Sequence, residues 1–361
     1  MKKVKILTFT SLFPHVGNPT QGLFVMERLR HLNASGQVEI KVVAPLPWFP
    51  FTHKKLNPYA WRAKNSAKEE SSHGLTIYHP RYFLIPKLGM YMSPLSMALA
   101  SLPILKKTVA QGYDFDLIDA HYFYPDGIAA TILGKLLNKP VIITARGSDL
   151  NQLPNYFIPK KLIKWAANSA DGLITVCAAL KKPLQDMGID ESTITVLRNG
   201  VDLEKFTPQD PTPLRKRLGI TSTTLLSVGY LIDRKGHDLI IRAMEKLEAC
   251  NLLIAGDGPN REELLLLIKE LGLENRIKLL GEIPHTELIV YYGAVDALVL
   301  ASSREGWANV LLEAMACGTP VVASKAWGTP EVVANADAGV LMEERSVQGV
   351  VDGVNKLLNN P

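Results

Sequence analysis

Glu305-Gly306-Trp307-Ala308-Asn309-Val310-Leu311-Leu312-Glu313-Ala314-Met315-Ala316-Cys317-Gly318-Thr319-Pro320 carries two carboxylates, Glu305 and Glu313, eight positions apart. Val310, Leu311, Ala314 and Met315 recur at helical spacing, and Gly318 with Pro320 ends the run. This spacing predicts a loop entering a helix, with Glu305 at the helix mouth and Glu313 about one turn inside. The N–H groups of Gly306, Trp307, Ala308 and Asn309 would then be unpaired and suited to an anion or a hydroxyl. A carboxylate at a helix start also serves simply to complement the helix dipole, so spacing alone leaves both readings open. The residues beyond the helix tip the balance. Residues 320–324 read as an apolar strand and Gly328-Thr329-Pro330-Glu331 as a turn into another helix. The loop therefore lies in an α/β repeat, where ligands collect at the carboxyl ends of strands.

The alternation extends in both directions. Thr224–Val228, Asn251–Ala255, 277–280, Ala297–Leu300 and 321–323 read as five strands with helices between them. In the first half Val4–Phe9, 38–45, 116–121, 140–144, 173–176 and a last strand near 195 do the same. The fold class is α/β: two Rossmann-like, doubly wound domains facing a cleft. The polar, Pro-rich run 206–213 reads as the boundary, and domains are expected over 1–203 and 204–361. Residues 46–92 are less regular, mixing Trp48, Phe49, Phe51, Trp61, Tyr82 and Phe83 with His53-Lys54-Lys55. They suit a membrane-interface surface and equally a small folded insertion. The apolar run 94–109 reads as a buried helix, too short and Pro-interrupted to span a bilayer.

An apolar fraction of 47% and a charged fraction of 21% are those of a soluble globular protein. Three scattered cysteines without a CxxC pair fit reduced core thiols in a cytoplasmic protein. The opening run is broken by threonines and Pro14, so a first strand fits better than a signal peptide. Charge is uneven. Residues 1–200 hold 24 Lys+Arg against 13 Asp+Glu, a net of +11, and the remaining 161 hold 16 against 22, a net of −6. The basic half points to an anionic partner, a membrane surface or a lipid-diphosphate carrier ahead of nucleic acid, which is not expected. The protein would then sit peripherally at the inner face of the cell membrane.

Gly229-Tyr230-Leu231-Ile232-Asp233-Arg234-Lys235-Gly236 follows the first strand of the second half. Adjacent Arg234 and Lys235 combine a planar fork with a point charge, which suits a diphosphate. Ala255-Gly256-Asp257-Gly258-Pro259 lacks GxGxxG spacing, so its glycines read as allowing a tight turn. Asp114-Phe115-Asp116 precedes a strand where a metal motif would end one. No His/Cys/Asp set stands at metal-ligand spacing, and neither a metal nor another cofactor is expected.

Over nearly its whole length the chain resembles the retaining glycosyltransferases of the GT-B fold, in the group 1 family marked by Glu-x7-Glu. Glu305, Gly306, Asn309, Glu313, Ala314, Gly318, Pro320 and Val321 carry that match, and Gly229, Leu231, Lys235 and Gly236 a second one. The resemblance implies that Glu305, with Gly306, Trp307, Ala308, Asn309 and Val310, meets the sugar of a UDP- or GDP-linked donor. Glu313 would meet the ribose, Ile283 and Pro284 the base, and Arg234 and Lys235 the diphosphate. Gly22 stands where the family approaches the donor phosphates, although a Gly-Gly pair is common there, and Gly229 opens the basic loop. Arg146 stands where the family often has His; it cannot be a general base, but it could pair with a phosphate. His121, Asp126 and Asp149 are acceptor-side candidates. The acceptor is expected to be a glycan or a lipid-linked glycan of cell-envelope or exopolysaccharide synthesis. The chain stops where the family's crossover helices usually come, so these are expected to be missing. A nucleotide-sugar epimerase of the same fold and an inert binding subunit stand as alternatives.

Overall fold

The computed structural model describes residues 3–50, 58–85 and 89–359. The chain divides into two compact units, Met1–Asn199 and Gly200–Pro361. Unit 1 begins β1 (Val4–Phe9), α1 (Leu23–Ala34), β2 (Val38–Val43), β3 (Leu46–Trp48), α2 (Pro58–Ala63), β4 (Glu69–Ser72), β5 (Leu75–Tyr78) and β6 (Arg81–Phe83). It continues α3 (Gly89–Ala110), β7 (Leu117–His121), α4 (Ile128–Leu137), β8 (Val141–Ala145), α5 (Ser148–Asn151), α6 (Phe157–Ala167), β9 (Gly172–Thr175), α7 (Lys181–Gln185) and β10 (Ile194–Val196). Eight strands form one sheet in the order β10-β9-β8-β7-β1-β2-β5-β4, parallel except that β4 runs against β5.

Unit 2 runs α8 (Pro211–Leu218), β11 (Thr224–Val228), α9 (His237–Ala243), β12 (Asn251–Ala255), α10 (Arg261–Glu270), β13 (Ile277–Gly281), α11 (Leu288–Ala294) and β14 (Ala297–Leu300). Then come α12 (Asn309–Ala316), β15 (Val321–Ser324), α13 (Thr329–Val332), β16 (Gly339–Met342) and α14 (Val347–Leu358). Its sheet is wholly parallel, in the order β13-β12-β11-β14-β15-β16. Every residue of β11, β14 and β15 is buried, as strands covered by helices on both faces require. Strand order reverses between β1 and β7 in unit 1 and between β11 and β14 in unit 2, and such switch points open a ligand crevice.

Two expectations are corrected, and one left open is narrowed. The second sheet has six strands: Gly339–Met342 is a four-residue edge strand, too short to show a period. For the 46–92 segment, of the two readings left open, the described residues bear on the folded insertion: β4 and β5 extend the main sheet, and β3 pairs with β6 in a separate ribbon. Its His53-Lys54-Lys55 cluster and Phe51 lie outside the described residues. The helix expected to be buried, α3, buries Ser93, Met97, Ser101 and Leu105 but exposes Tyr91, Met92, Leu95 and Leu99. A helix lying on a sheet covers one stripe only, whatever its composition.

The turn after β12 packs backbone to backbone against the loop after β11. Gly256 has φ +148°, and a Cβ there would stand 1.9 Å from the Gly229 carbonyl oxygen. Gly272, at φ +66°, has open space around it. Gly256→Ala is therefore expected to destabilise the protein by about 2–3 kcal/mol and Gly272→Ala by about 1 kcal/mol, read from urea midpoints. Equal costs would refute the packing argument.

Candidate active site

The loops leaving β11 and β14, at the switch point of unit 2, hold Lys235 and Glu305. Asp233–Lys235 forms a single 3₁₀ turn closed by Gly236 at φ +68°, where a Cβ would stand 2.3 Å from the Ala301 carbonyl. Ser303 N–H donates to the Arg234 carbonyl at 2.8 Å, and Arg234 Nη1 to the Arg304 carbonyl at 3.0 Å. The turn is thereby pinned to the Glu305 loop. Lys235 Nζ donates to Glu305 Oε1 at 2.6 Å, and Arg234 Nη1 stands 3.9 Å from Oε2. Burial pushes the Glu305 carboxyl upward, but the two cations outweigh it and hold it below the usual carboxylate range. Glu305 is thus ionised and can only accept hydrogen bonds. The stem of Lys235 lies over Gly229: a Cβ there would meet Lys235 carbons at 3.2–3.5 Å.

Glu313 sits inside α12, 8% exposed, with both oxygens engaged. Tyr292 Oη donates to Oε2 at 2.9 Å, and His285 Nε2 lies 2.9 Å from Oε1. Lys205 Nζ stands 3.1 Å from His285 Nδ1. Since ammonium only donates, Nδ1 accepts and Nε2 carries the proton toward Glu313. Burial and the Glu313 charge hold the Tyr292 hydroxyl protonated. A carboxylate has about four lone-pair sites; two are used here, leaving two for a diol. Sequence reading missed His285 and Tyr292. His285 directly follows Ile283 and Pro284, which the resemblance had singled out, whereas Tyr292 lies in α11 and no sequence signal marked it.

Ile283 is half-buried against the core and Pro284 is exposed. At the helix mouth Gly306 and Ala308 are buried, while Trp307 and Val310 pack partly on the core. Asn309 N–H is turned back onto the Trp307 carbonyl at 3.1 Å. The expectation of four free amides is corrected there, because Ala308 caps the helix in a non-helical conformation that bends the chain back.

In unit 1 the candidates are brought together but enclosed. Arg146, 9% exposed at the end of β8, donates from Nη2 to His121 Nδ1 at 2.6 Å and from Nη1 to Asn199 Oδ1 at 2.9 Å. It also stacks 5.4 Å from the Phe24 ring centre. Arginine does not accept, so His121 carries its proton on Nε2, 3.1 Å from Asp119 Oδ2. Burial, with the Arg146 charge, pushes His121 down to about 4. Burial lowers Arg146 to about 9, which leaves it charged at neutral pH. Asp149 accepts N–H groups from Phe123 at 2.7 Å and Gly147 at 2.6 Å. Asp126 accepts Ser11 N–H and, at 3.0 Å, Ser11 Oγ. Burial pushes Asp126 up to about 7. Ser11 and Asp126 leave β1 and β7, so this contact closes the first switch point. Gly22 caps α1 at φ +66°, where a Cβ would stand 2.0 Å from the Leu12 carbonyl oxygen. His121, Asp126 and Asp149 all hold loops in place.

Residues 23–205 match the family model described as Glycosyltransferase Family 4, and residues 212–361 the one described as Glycosyl transferases group 1. The chain is 28% identical to TuaC of Bacillus subtilis, provisionally named a teichuronic acid biosynthesis glycosyltransferase, over 98% of this chain and 89% of that protein. It is also 28% identical to the N-acetyl-alpha-D-glucosaminyl L-malate synthase of Bacillus anthracis, over 74% and 71%. Among solved structures it resembles sucrose-phosphate synthase of Thermosynechococcus elongatus (TM-score 0.78, 20% identity, 100% and 90% covered). Anabaena HepE in complex with UDP is also similar (TM-score 0.72, 21% identity, 99% and 90% covered).

The enclosed His121 predicts a pH signature. Between its native value of about 4 and an unfolded value near 6.5, the unfolded chain binds the extra proton, so stability rises with pH. Wild type is expected to lose on the order of 2–3 kcal/mol from pH 7 to pH 4 that His121→Gln does not lose. Parallel denaturation curves across this range would show that His121 titrates normally.

Proposed function

The chain belongs to Glycosyltransferase Family 4, and from that premise we propose that unit 2 holds a nucleotide-sugar donor and unit 1 the acceptor. The protein is a glycosyltransferase; both family models describe glycosyl transfer, which sets the epimerase alternative aside. One observation carries the donor assignment: Lys235 and Glu305 meet at 2.6 Å at the carboxyl ends of β11 and β14. The site satisfies its buried charges internally. A diphosphate entering there would take Lys235 and Arg234 and release Glu305 to accept hydroxyls of the sugar.

Glu313 would accept the two ribose hydroxyls, with Ile283 and Pro284 against a uracil or guanine base. Gly306, Trp307, Ala308 and Val310 would frame the sugar, while Gly22 and Gly229 let backbone approach the phosphates. Both carboxylates are held ionised or doubly engaged, and neither is set up as a nucleophile. Retention would then rest on front-face attack, with charge on the departing diphosphate stabilised by Arg234 and Lys235. Arg146 would contribute charge near a phosphate, since two of its nitrogens already serve His121 and Asn199. The acceptor reading is a glycan or lipid-linked glycan of the cell envelope, met by a cytoplasmic protein peripheral to an anionic membrane. The net charge of +11 over residues 1–200 supports that placement.

Three measurements test this. In a thermal-shift panel of UDP-, GDP- and ADP-sugars, at least one should stabilise the fold by about 2–3 kcal/mol at a hundredfold excess over Kd; no shift with any would sink the donor assignment. Lys235→Ala should slow transfer ~10²-fold or more, and an unchanged rate would remove the phosphate role. A ribonucleotide should bind better than its 2′-deoxy form, and His285→Ala or Tyr292→Phe should narrow that ratio. A ratio unmoved by either change would exclude them from positioning Glu313.

A further inference from the structure

Unit 1 presents one helical face with no acidic residue on it. The connections β7–α4–β8 and β8–α6–β9 advance in the same direction along the sheet, so right-handed crossovers put α4 and α6 on one side. Helix α3 packs directly on α4, and α4 on α6. These three helices contain no Asp or Glu and six lysines: Lys106, Lys107, Lys135, Lys160, Lys161 and Lys164. All six are exposed. Six of the 24 basic residues of the first half therefore stand where no acidic side chain on the same helices offsets them.

The same face is also apolar. Among the described residues, eight of the eighteen exposed large hydrophobic side chains belong to these three helices. Leu95 and Leu99 continue the outer stripe of α3, Leu99 at 61% exposure, and Phe157 opens α6 at 71%. Lysines and aromatics interleave: Lys161 Nζ stands 4.2 Å from the Phe157 ring centre and Lys135 Nζ 4.9 Å from that of Trp165. Elsewhere such lysine stems and rings would be solvated at a cost; at a bilayer interface the rings sit among headgroups and the ammonium groups reach phosphates. No helix among the described residues is long and apolar enough to cross a membrane.

We propose that the α3–α4–α6 face of unit 1 lies flat on an anionic phospholipid bilayer, with Leu95, Leu99, Phe157 and Ile158 entering the acyl boundary and the six lysines on headgroup phosphates. This rests on the peripheral membrane placement proposed for the protein and assigns the surface to α3, which begins within the 46–92 segment, and to α4 and α6 beyond it. Aliphatic side chains decide between lipid and nucleic acid. Leu95, Leu99 and Ile158 have neither a ring to stack on a base nor a group for a phosphate, whereas the outer acyl region accepts them.

The test is co-sedimentation of the full chain with phosphatidylcholine vesicles, with and without phosphatidylglycerol. Wild type should bind the anionic vesicles, more weakly as salt rises. Lys160→Glu/Lys161→Glu should weaken binding at least tenfold, at roughly a factor of five per lysine removed. Leu99→Ser/Phe157→Ser should weaken it independently of salt. All four sites are exposed, so unchanged Tm and unchanged thermal shift with nucleotide-sugars should accompany both variants; this separates failure here from failure of the donor assignment. Wild-type vesicle binding by both variants, equal binding to neutral vesicles, or tighter binding to a nucleic-acid duplex than to vesicles would each overturn the proposal.

Discussion

The Lys235–Glu305 contact is the constraint on which the candidate site of unit 2 depends. Two opposite charges largely removed from water are tolerated only when each supplies the other's partner. Here they arise on loops from neighbouring strands of opposite connection sense, seventy residues apart. Their meeting fixes the register of both loops at once, with the Arg234 side chain on the Arg304 carbonyl and Ser303 N–H on the Arg234 carbonyl as further ties. Under the proposed donor reading, binding would exchange one compensated state for another and leave no bare buried charge.

Unit 1 compensates its buried charges differently. Arg146, His121 and Asp119 form a buried polar chain in which the permanent donor, arginine, dictates the histidine tautomer. Asp149 and Asp126 direct their oxygens onto backbone N–H groups of the loops after β7, β8 and β1. A histidine and three aspartates that would read as catalytic stock are here fixtures of loop conformation. Their titration accordingly appears in the stability of the fold.

Much of this was legible from residue order. In unit 2 the bounds expected for β11, β12 and β14 are those observed, because each of these strands coincides with a mainly apolar run. The Glu305–Glu313 spacing and the Arg234-Lys235 pair marked the site because chemistry and local structure coincide there. Long-range partnership was not legible. Nothing in the order of residues says that Lys235 reaches Glu305, that His285 and Tyr292 occupy both oxygens of Glu313, or that Asn309 folds its amide back. The exposed stripe of α3 was hidden for another reason: composition reports how apolar a helix is, and only packing reports which side is covered.

The glycine contacts behind the site have an engineering consequence. Gly256 touches the Gly229 carbonyl, Gly258 approaches Leu231 backbone and Gly236 abuts Ala301, all without room for a methyl group. The loops around Gly229, Gly236, Gly256 and Gly258 thus behave as a zero-clearance chassis in which side-chain growth is not accommodated. Residues 282–287 after β13 are half-buried or exposed, and a Cβ at the preceding Gly281 would meet nothing within 4 Å. Under the proposed donor reading, diversification of nucleotide preference should therefore concentrate in that loop, His285 excepted, while the chassis stays constant.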